Sequence, residues 1–317
     1  MPNNRWLEFS IRASAEAAEA LTAVFEKSGQ GVVIEPEFVQ GDEADIPIPA
    51  PGQYSHLRTY IPEGKDLAAR SKAIEDAVGI LRAFELAPMG DLQHRWVDEE
   101  EWESAWKHHY QVQRLGRRWI VKPSWQDYDP KPEDRVIELD PGMAFGTGLH
   151  PTTQTVLEVL EDLAGAGEVE GKRLLDLGTG SGILTIGAVK AGASSVLSLD
   201  VEEVAVRAAA ENVAKNGAAD RVEVRHATLG QTINGVITIP GIGAEDAFDG
   251  ILANIVARVI AERAPAIGRA LRPGGWLIAS GIIQERERDA TDALEANGLT
   301  LERREERGDW RTLLYRK

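Results

Sequence analysis

The sequence predicts an α/β protein: a C-terminal, mostly parallel sheet with helices on both faces, preceded by a small α+β domain. Three observations carry this. From residue 173 onward, apolar strand-like runs alternate with helix-like stretches, the order that builds parallel crossovers. A glycine-rich turn, Gly178-Thr179-Gly180-Ser181-Gly182, joins the first of these runs to its helix. The first 97 residues read instead as βαββαβ, a ferredoxin-like order.

A chain of 317 residues is long for one domain and sufficient for two cores. Its 35 basic and 51 acidic residues leave a net charge of −16, which repels phosphate backbones and attracts a basic protein partner. The absence of cysteine excludes disulfides, a thiol nucleophile and thiolate metal sites. The N-terminal residues lack a signal peptide's apolar core, and no apolar run is long enough to span a bilayer, so a cytoplasmic location is expected.

In the small domain, Trp6, Phe9 and Ile11 mark an alternating strand, and Ser14 caps an Ala- and Glu-rich helix running to about Lys27. Gly29 and Gly31 stop it. Strands over 32–39 and 56–61, a helix over 67–84 and a strand over 92–97 follow, with a proline-rich loop at 41–53. Residues 98–117 read as a helical linker, acidic at its start, with Trp102 and Trp106 on one helix face. The larger domain then occupies 118–317. Trp119 to Pro123 and Val136 to Leu139 suggest a short hairpin. Beyond it come strands at 173–177, 196–200, 221 and 249–253, helices at 183–191, 202–216 and 256–271, a turn over 271–275, a strand at 276–280, a helix at 284–297, and final strands near 300 and 311. Residues 230–246 are glycine-rich and read as a loop.

The chemistry gathers at the ends of these strands. The glycines permit backbone angles closed to other residues and let a ligand approach the main chain. The helix behind them offers free N–H groups to a carboxylate or phosphate. Asp200 ends the next strand, placed to accept charge-assisted hydrogen bonds from two ribose hydroxyls. A dinucleotide fingerprint needs a third glycine or alanine that neither Ile183 nor Thr185 supplies, so a dehydrogenase is disfavoured. The tighter Gly-x-Gly-x-Gly form with Asp176 before it looks like the first motif of class I S-adenosylmethionine (SAM) methyltransferases. Ahead of it, Asp140-Pro141-Gly142-Met143-Ala144-Phe145-Gly146-Thr147-Gly148-Leu149-His150-Pro151-Thr152-Thr153 reads as a lid, with Phe145 and Gly146 over the cofactor and the threonine hydroxyls at a helix start. His150 has no clustered partner that would suggest a metal and is read as structural, so no metal is expected. Asn254 ends the fourth core strand where a reacting amine would arrive, offering both a donor and an acceptor. The Asn-Pro-Pro-Tyr signature of many nucleic-acid and glutamine methyltransferases is absent, because Ile255, Val256 and Ala257 follow.

These residues resemble the ribosomal protein L-eleven methyltransferases, the PrmA type, over nearly the whole chain. The likeness includes Trp6-Leu7-Glu8, the Trp102 to Trp106 region, Val121-Lys122-Pro123-Ser124-Trp125, the lid, the glycine motif, Asn254-Ile255 and Ser280-Gly281-Ile282. It implies methyl transfer from SAM to lysine side chains and the N-terminal α-amino group of that basic protein, up to trimethylation. It further implies that the small domain recognises the substrate, with neither a membrane nor a nucleic acid as partner; a monomer is expected. By motif position, Phe145, Gly146, Thr153, Gly178, Gly180, Asp200 and Asn254 are the cofactor residues, and Asn254 the catalytic one. One departure stands out: after the third strand, where the family offers an acidic residue to the adenine, this chain has Arg225-His226-Ala227-Thr228. Transfer from a sulfonium to an amine is an in-line displacement, so positioning is most of what a protein adds. The amine must also be neutral: with a pKa near ~10.4, only on the order of one lysine in two thousand is unprotonated at neutral pH, and desolvation raises that share. Two other readings remain at this point: a nucleic-acid or small-molecule methyltransferase, and a ribosome-assembly module that has lost activity.

Overall fold

The structure, a computed structural model, describes residues 5–29, 32–36, 38–39, 48–49, 54–83, 88–98, 111–140, 150–230 and 247–317. The chain divides into two compact units, Met1–Gln111 and Val112–Lys317. Trp102, Trp106, Phe145, Gly146 and residues 231–246 of the expected loop lie outside the described residues.

In the first unit, β1 (Arg5–Ala13), α1 (Ala15–Ser28), β2 (Val33–Pro36), β5 (Ser55–Pro62), α2 (Leu67–Ala83) and β6 (Gln93–Asp98) form an antiparallel sheet of order β2-β5-β1-β6. The two-residue strands β3 (Phe38–Val39) and β4 (Ile48–Pro49) pair separately. Alternation decides which face is buried: Leu7, Phe9, Ile11 and Ala13 point to one side of β1 and pack against Leu21, Phe25, Ile74 and Val78 of the two helices. Ser14 caps α1, accepting from the Ala17 N–H at 3.4 Å, and the chain leaves the helix at Gly29.

The second unit opens with β7 (Gln113–Leu115), β8 (Trp119–Lys122) and β9 (Arg135–Glu138). Here the sequence reading needs correction, since β8 and β9 pair in parallel and the hairpin is β7–β8, turning at Gly116. Parallel neighbours need a crossover. Residues 123–134 provide it, closed by Asp134, which accepts from Arg114 at 2.8 Å and from the Tyr128 hydroxyl at 2.6 Å.

The large sheet contains β10 (Arg173–Leu177), β11 (Ser195–Asp200), β12 (Val222–His226), β13 (Phe248–Asn254), β14 (Leu271–Ile283), β15 (Thr300–Arg307) and β16 (Trp310–Arg316). Its order is β12-β11-β10-β13-β14-β16-β15, and only β16 runs antiparallel to its neighbours. The stretch expected as a turn at 271–275 is the start of β14. The pairing is irregular there, jumping from Phe248–Leu271 to Gly250–Trp276.

Both faces of this sheet are covered, which is why its central strands are continuously apolar. Leu174, Val196, Leu252 and Ile278 pack with α3 (Pro151–Gly165) and α4 (Ile183–Lys190) on one face, where α5 (Glu203–Lys215) also contributes Val213. Leu175, Leu177, Leu197, Ile251 and Leu277 pack on the other with α6 (Ala257–Ala270) and α7 (Glu287–Ala296). The strand order reverses at the β10–β13 pair, and in such sheets the crevice at the carboxyl end of that reversal is the ligand site. No helix among the described residues is long and apolar enough to cross a membrane.

Candidate functional site

The register of the three central strands puts the expected residues along one edge. Leu199, Leu177 and Ala253 are mutual partners across the sheet, so Asp200, Gly178 and Asn254 follow one step further on neighbouring strands. Adjacent strands lie about 4.8 Å apart, so Asp200 and Asn254 flank Gly178 with roughly 10 Å between their strands.

The glycine loop is fastened from both sides. The Gly178 and Thr179 N–H groups donate to the Leu199 carbonyl at 2.8 and 3.0 Å. The Gly180 N–H donates to Asp200 Oδ2 at 2.9 Å, while Asp200 Oδ1 accepts from the Glu202 N–H at 3.0 Å. A carboxylate has about four lone-pair positions. Two remain on Asp200 for an incoming diol. Asn212 of α5 donates to the Ser181 carbonyl at 2.9 Å, holding the far side of the loop.

Gly178 has φ +78°, a region costly for residues with a side chain. Its missing Cβ also matters for packing, because a Cβ there would lie 2.3 Å from Ile255 Cγ2. A neighbouring methyl group takes the space a side chain would need.

Beneath the loop lies the acidic residue that the sequence reading took as part of the glycine motif, with partners the reading did not assign. Asp176 is fully buried, and its Oδ2 accepts from the Thr179 and Thr185 hydroxyls at 2.8 and 2.7 Å. Thr185 is also within 2.6 Å of the Ser198 hydroxyl on β11. Burial pushes the Asp176 carboxyl up to about 6; the bonds from Thr185 and Thr179 oppose the rise and the nearby Asp200 charge adds to it. The cluster ties β10, the loop, α4 and β11 together. Its signal in the sequence is a charged residue inside the apolar strand Arg173-Leu174-Leu175-Asp176-Leu177.

On the opposite side, Asn254 Nδ2 donates to Thr153 Oγ1 at 3.3 Å. Asn254 Oδ1 is shielded from solvent and has no hydrogen-bond partner among the described residues. A buried acceptor left unpaired is costly, so an N–H group from a ligand fits there. Thr153 lies in the first turn of α3. That helix is capped by His150, whose Nδ1 accepts from the Thr152 N–H at 3.4 Å and lies 2.7 Å from the Thr152 hydroxyl. The His150 ring meets Trp310 edge-on at 4.7 Å, and desolvation lowers its pKa to about 4. The histidine is thus a neutral cap.

Thr153, Gly178, Gly180, Asp200 and Asn254 are therefore gathered at one sheet edge. After β12, Ala227 and Thr228 are both buried. No cluster of three potential metal ligands occurs among the described residues.

The ribosomal protein L11 methyltransferase (PrmA) family model matches residues 5–317. The Chloroflexus aurantiacus ribosomal protein L11 methyltransferase is 40% identical over 332 residues, covering 100% of this chain and 99% of its own. The enzyme of that name from Herpetosiphon aurantiacus is 39% identical, with 99% of both chains covered. Among solved structures, ribosomal protein L11 methylase from Lactobacillus delbrueckii subsp. bulgaricus superposes with a TM-score of 0.56 at 33% identity, covering 66% of this chain and all of that one. With a sheet edge built from a glycine loop, an acidic strand end and an amide, and a match spanning both units, the chain belongs to the ribosomal protein L11 methyltransferase family.

Proposed function

We propose that this protein methylates amino groups of ribosomal protein L11, at lysine side chains and the N-terminal α-amine, up to the trimethyl state. SAM is the methyl donor of the family, and when bound it supplies a methyl group on a positively charged sulfur. The residues present fit it. Asp200 has acceptor capacity left for two ribose hydroxyls, and the main chain of the glycine loop is held in place by Asp176, Leu199 and Asn212.

The observation that carries the reading is Asn254. Its amide nitrogen is tethered to Thr153, so its unpartnered Oδ1 is held still for one remaining N–H donor. A neutral primary or secondary amine offers such an N–H and keeps its lone pair for the methyl carbon; the neutral dimethylamine of the last transfer has no N–H and presents its lone pair alone. Water exclusion at this buried position favours the neutral amine, and a fixed acceptor orients it. With SAM bound, the amine lone pair would form the new N–C bond while the C–S bonding pair stayed on sulfur; the ammonium product would lose a proton after the first and second transfers and would have none to lose after the third.

The remaining assignments rest on the resemblance: Phe145 and Gly146 contact the cofactor, residues 98–117 link the domains, and the first unit recognises the protein substrate. A net charge of −16 favours a basic protein over a nucleic acid. A monomer acting in the cytoplasm belongs to the same proposal. Incubation with methyl-labelled SAM, purified ribosomal proteins and ribosomal RNA, followed by mass mapping, tests it. Label on amines of L11 is expected; label on RNA alone would reverse it.

A further inference from the structure

We propose that Arg307 is a positioning residue for the methyl transfer. Reaching from the C-terminal hairpin of the sheet, it fixes the rotation of α3 about its own axis and so holds Thr153 where it keeps the Asn254 amide aimed. This rests on the functional reading above, in which Asn254 Oδ1 orients the amine.

The other contacts of α3 show why such a fixing is needed. Val156, Leu157, Leu160 and Leu163 pack with Leu252, Ile278 and Leu314 of the sheet. Apolar contact of this kind is non-directional, so it keeps the helix on the sheet without setting its rotation or its place along its axis. The site demands both. Thr153 Oγ1 accepts from Asn254 Nδ2 at 3.3 Å, already a long hydrogen bond. A further shift of only about 0.3 Å would take it out of range.

Directional contacts come from the hairpin of β15 and β16, whose turn is itself held. The Gln284 N–H, just beyond β14, donates to the Asp309 carbonyl at 2.8 Å, and Arg311 donates to the Gly308 carbonyl at 2.9 Å. From this base Arg307 spans one turn of α3. Its Nη1 donates to Gln154 Oε1 at 3.0 Å, and its Nη2 to the two Glu158 oxygens at 3.0 and 2.8 Å. Glu158 is hemmed in from the other side, since a Cβ on Gly116 would lie 2.9 Å from its Cγ. Further along α3, Arg303 of the same strand donates to Asp162 at 2.7 Å.

Gln154 follows Thr153 in sequence and lies roughly 100° round the helix from it. A rotation at Gln154 is therefore a displacement at Thr153. Gln154 is buried and Arg307 is 31% exposed, so water competes less for these bonds than at an open surface. A planar fork gripping two partners one turn apart fixes rotation as a single point charge does not. Among the described residues these partners of Arg307 lie on α3, away from Asp200 and the glycine loop, so its effect should fall on turnover and spare cofactor affinity.

The test is a double-mutant cycle on the full-length protein: wild type, Arg307→Ala, Thr153→Val and the pair, each measured for kcat and KM on purified L11 and for S-adenosylhomocysteine affinity. Arg307→Ala should lower kcat about tenfold, with KM and S-adenosylhomocysteine affinity within about threefold of wild type. In the Thr153→Val background, where the link to Asn254 is already cut, the same change should lower kcat less than about twofold. Arg307→Lys keeps the charge but cannot grip Gln154 and Glu158 together, so kcat should recover to about threefold below wild type. The lysine variant carries the test if the alanine variant fails to fold. Wild-type kcat in every folded variant at 307, or an equal loss in both backgrounds, would overturn the proposal. So would a loss of S-adenosylhomocysteine affinity as large as the loss in kcat, the mark of general damage to the unit. A wild type that leaves L11 unmethylated would overturn the functional reading and this proposal together, whereas an active wild type beside an unaffected Arg307→Ala would remove the role of Arg307 alone.

Discussion

Replacing Asp176 with asparagine isolates the buried acid beneath the glycine loop. The folded carboxyl titrates at about 6, against an ordinary value of 3.8. Between those values the folded protein holds a proton that the unfolded chain has already released. Stability must therefore fall as pH rises through that window, because unfolding releases protons there. A gap of about 2.2 pH units, at 1.36 kcal/mol each, removes roughly 3 kcal/mol once the carboxylate is charged in both states. Asparagine has the same shape, keeps an oxygen for a threonine hydroxyl and never ionises. Any fixed cost of burying its NH2 group appears equally at every pH, so the change with pH is what discriminates. Urea unfolding of the second unit, followed by far-UV circular dichroism at about pH 5 and about pH 8, measures it. The variant should gain on wild type by roughly 1.4 kcal/mol between the two conditions, since at the lower pH wild type is still mostly protonated when folded. An equal difference at both pH values, or a variant that loses ground as pH rises, would refute a buried, elevated acid at this position.

Four further outcomes are expected. Asp200→Ala should raise the Kd for S-adenosylhomocysteine about 10- to 150-fold, the equivalent of ~1.5–3 kcal/mol for hydrogen bonds to a charged group, as read by calorimetry. Asn254→Ala should cut turnover about 10- to 100-fold while S-adenosylhomocysteine affinity stays within about threefold; an affinity loss as large as the turnover loss would make the amide a cofactor ligand only. Gly178→Ala should lose roughly 2–4 kcal/mol in thermal unfolding, combining the left-handed backbone penalty with the Ile255 clash. His150, held neutral with a pKa of about 4, binds fewer protons when folded than when unfolded. Stability should therefore drop as pH falls from about 6.5 toward 4, and His150→Asn, another capping residue, should lessen that drop in acid-unfolding scans.

Much of the site was legible because its chemistry is local in sequence. Gly178, Gly180 and Asp200 sit at strand ends that apolar runs mark plainly, and parallel pairing then aligns those ends without further information. Asn254 was legible for the same reason. Partner choice among short strands was not: Trp119–Lys122 and Arg135–Glu138 have the composition of a hairpin, yet they pair in parallel. The decision lies in the Arg114–Tyr128–Asp134 closure of the loop between them, a set of contacts that no pattern announces. Asp176 was visible as a charge in an apolar run, but its role depends on Thr185 nine residues on and, through Thr185, on Ser198 of the next strand. Ile255 gave no signal. Its contact with Gly178 spans 77 residues and exists only once β10 and β13 lie side by side.

A crystal structure with S-adenosylhomocysteine tests the central claim most directly. The account predicts ribose hydroxyls within hydrogen-bond distance of both Asp200 oxygens, and a sulfur at the carboxyl ends of β10 and β13, open toward Asn254 Oδ1. A ligand bound away from that edge, or one with its sulfur turned from Asn254, would contradict it.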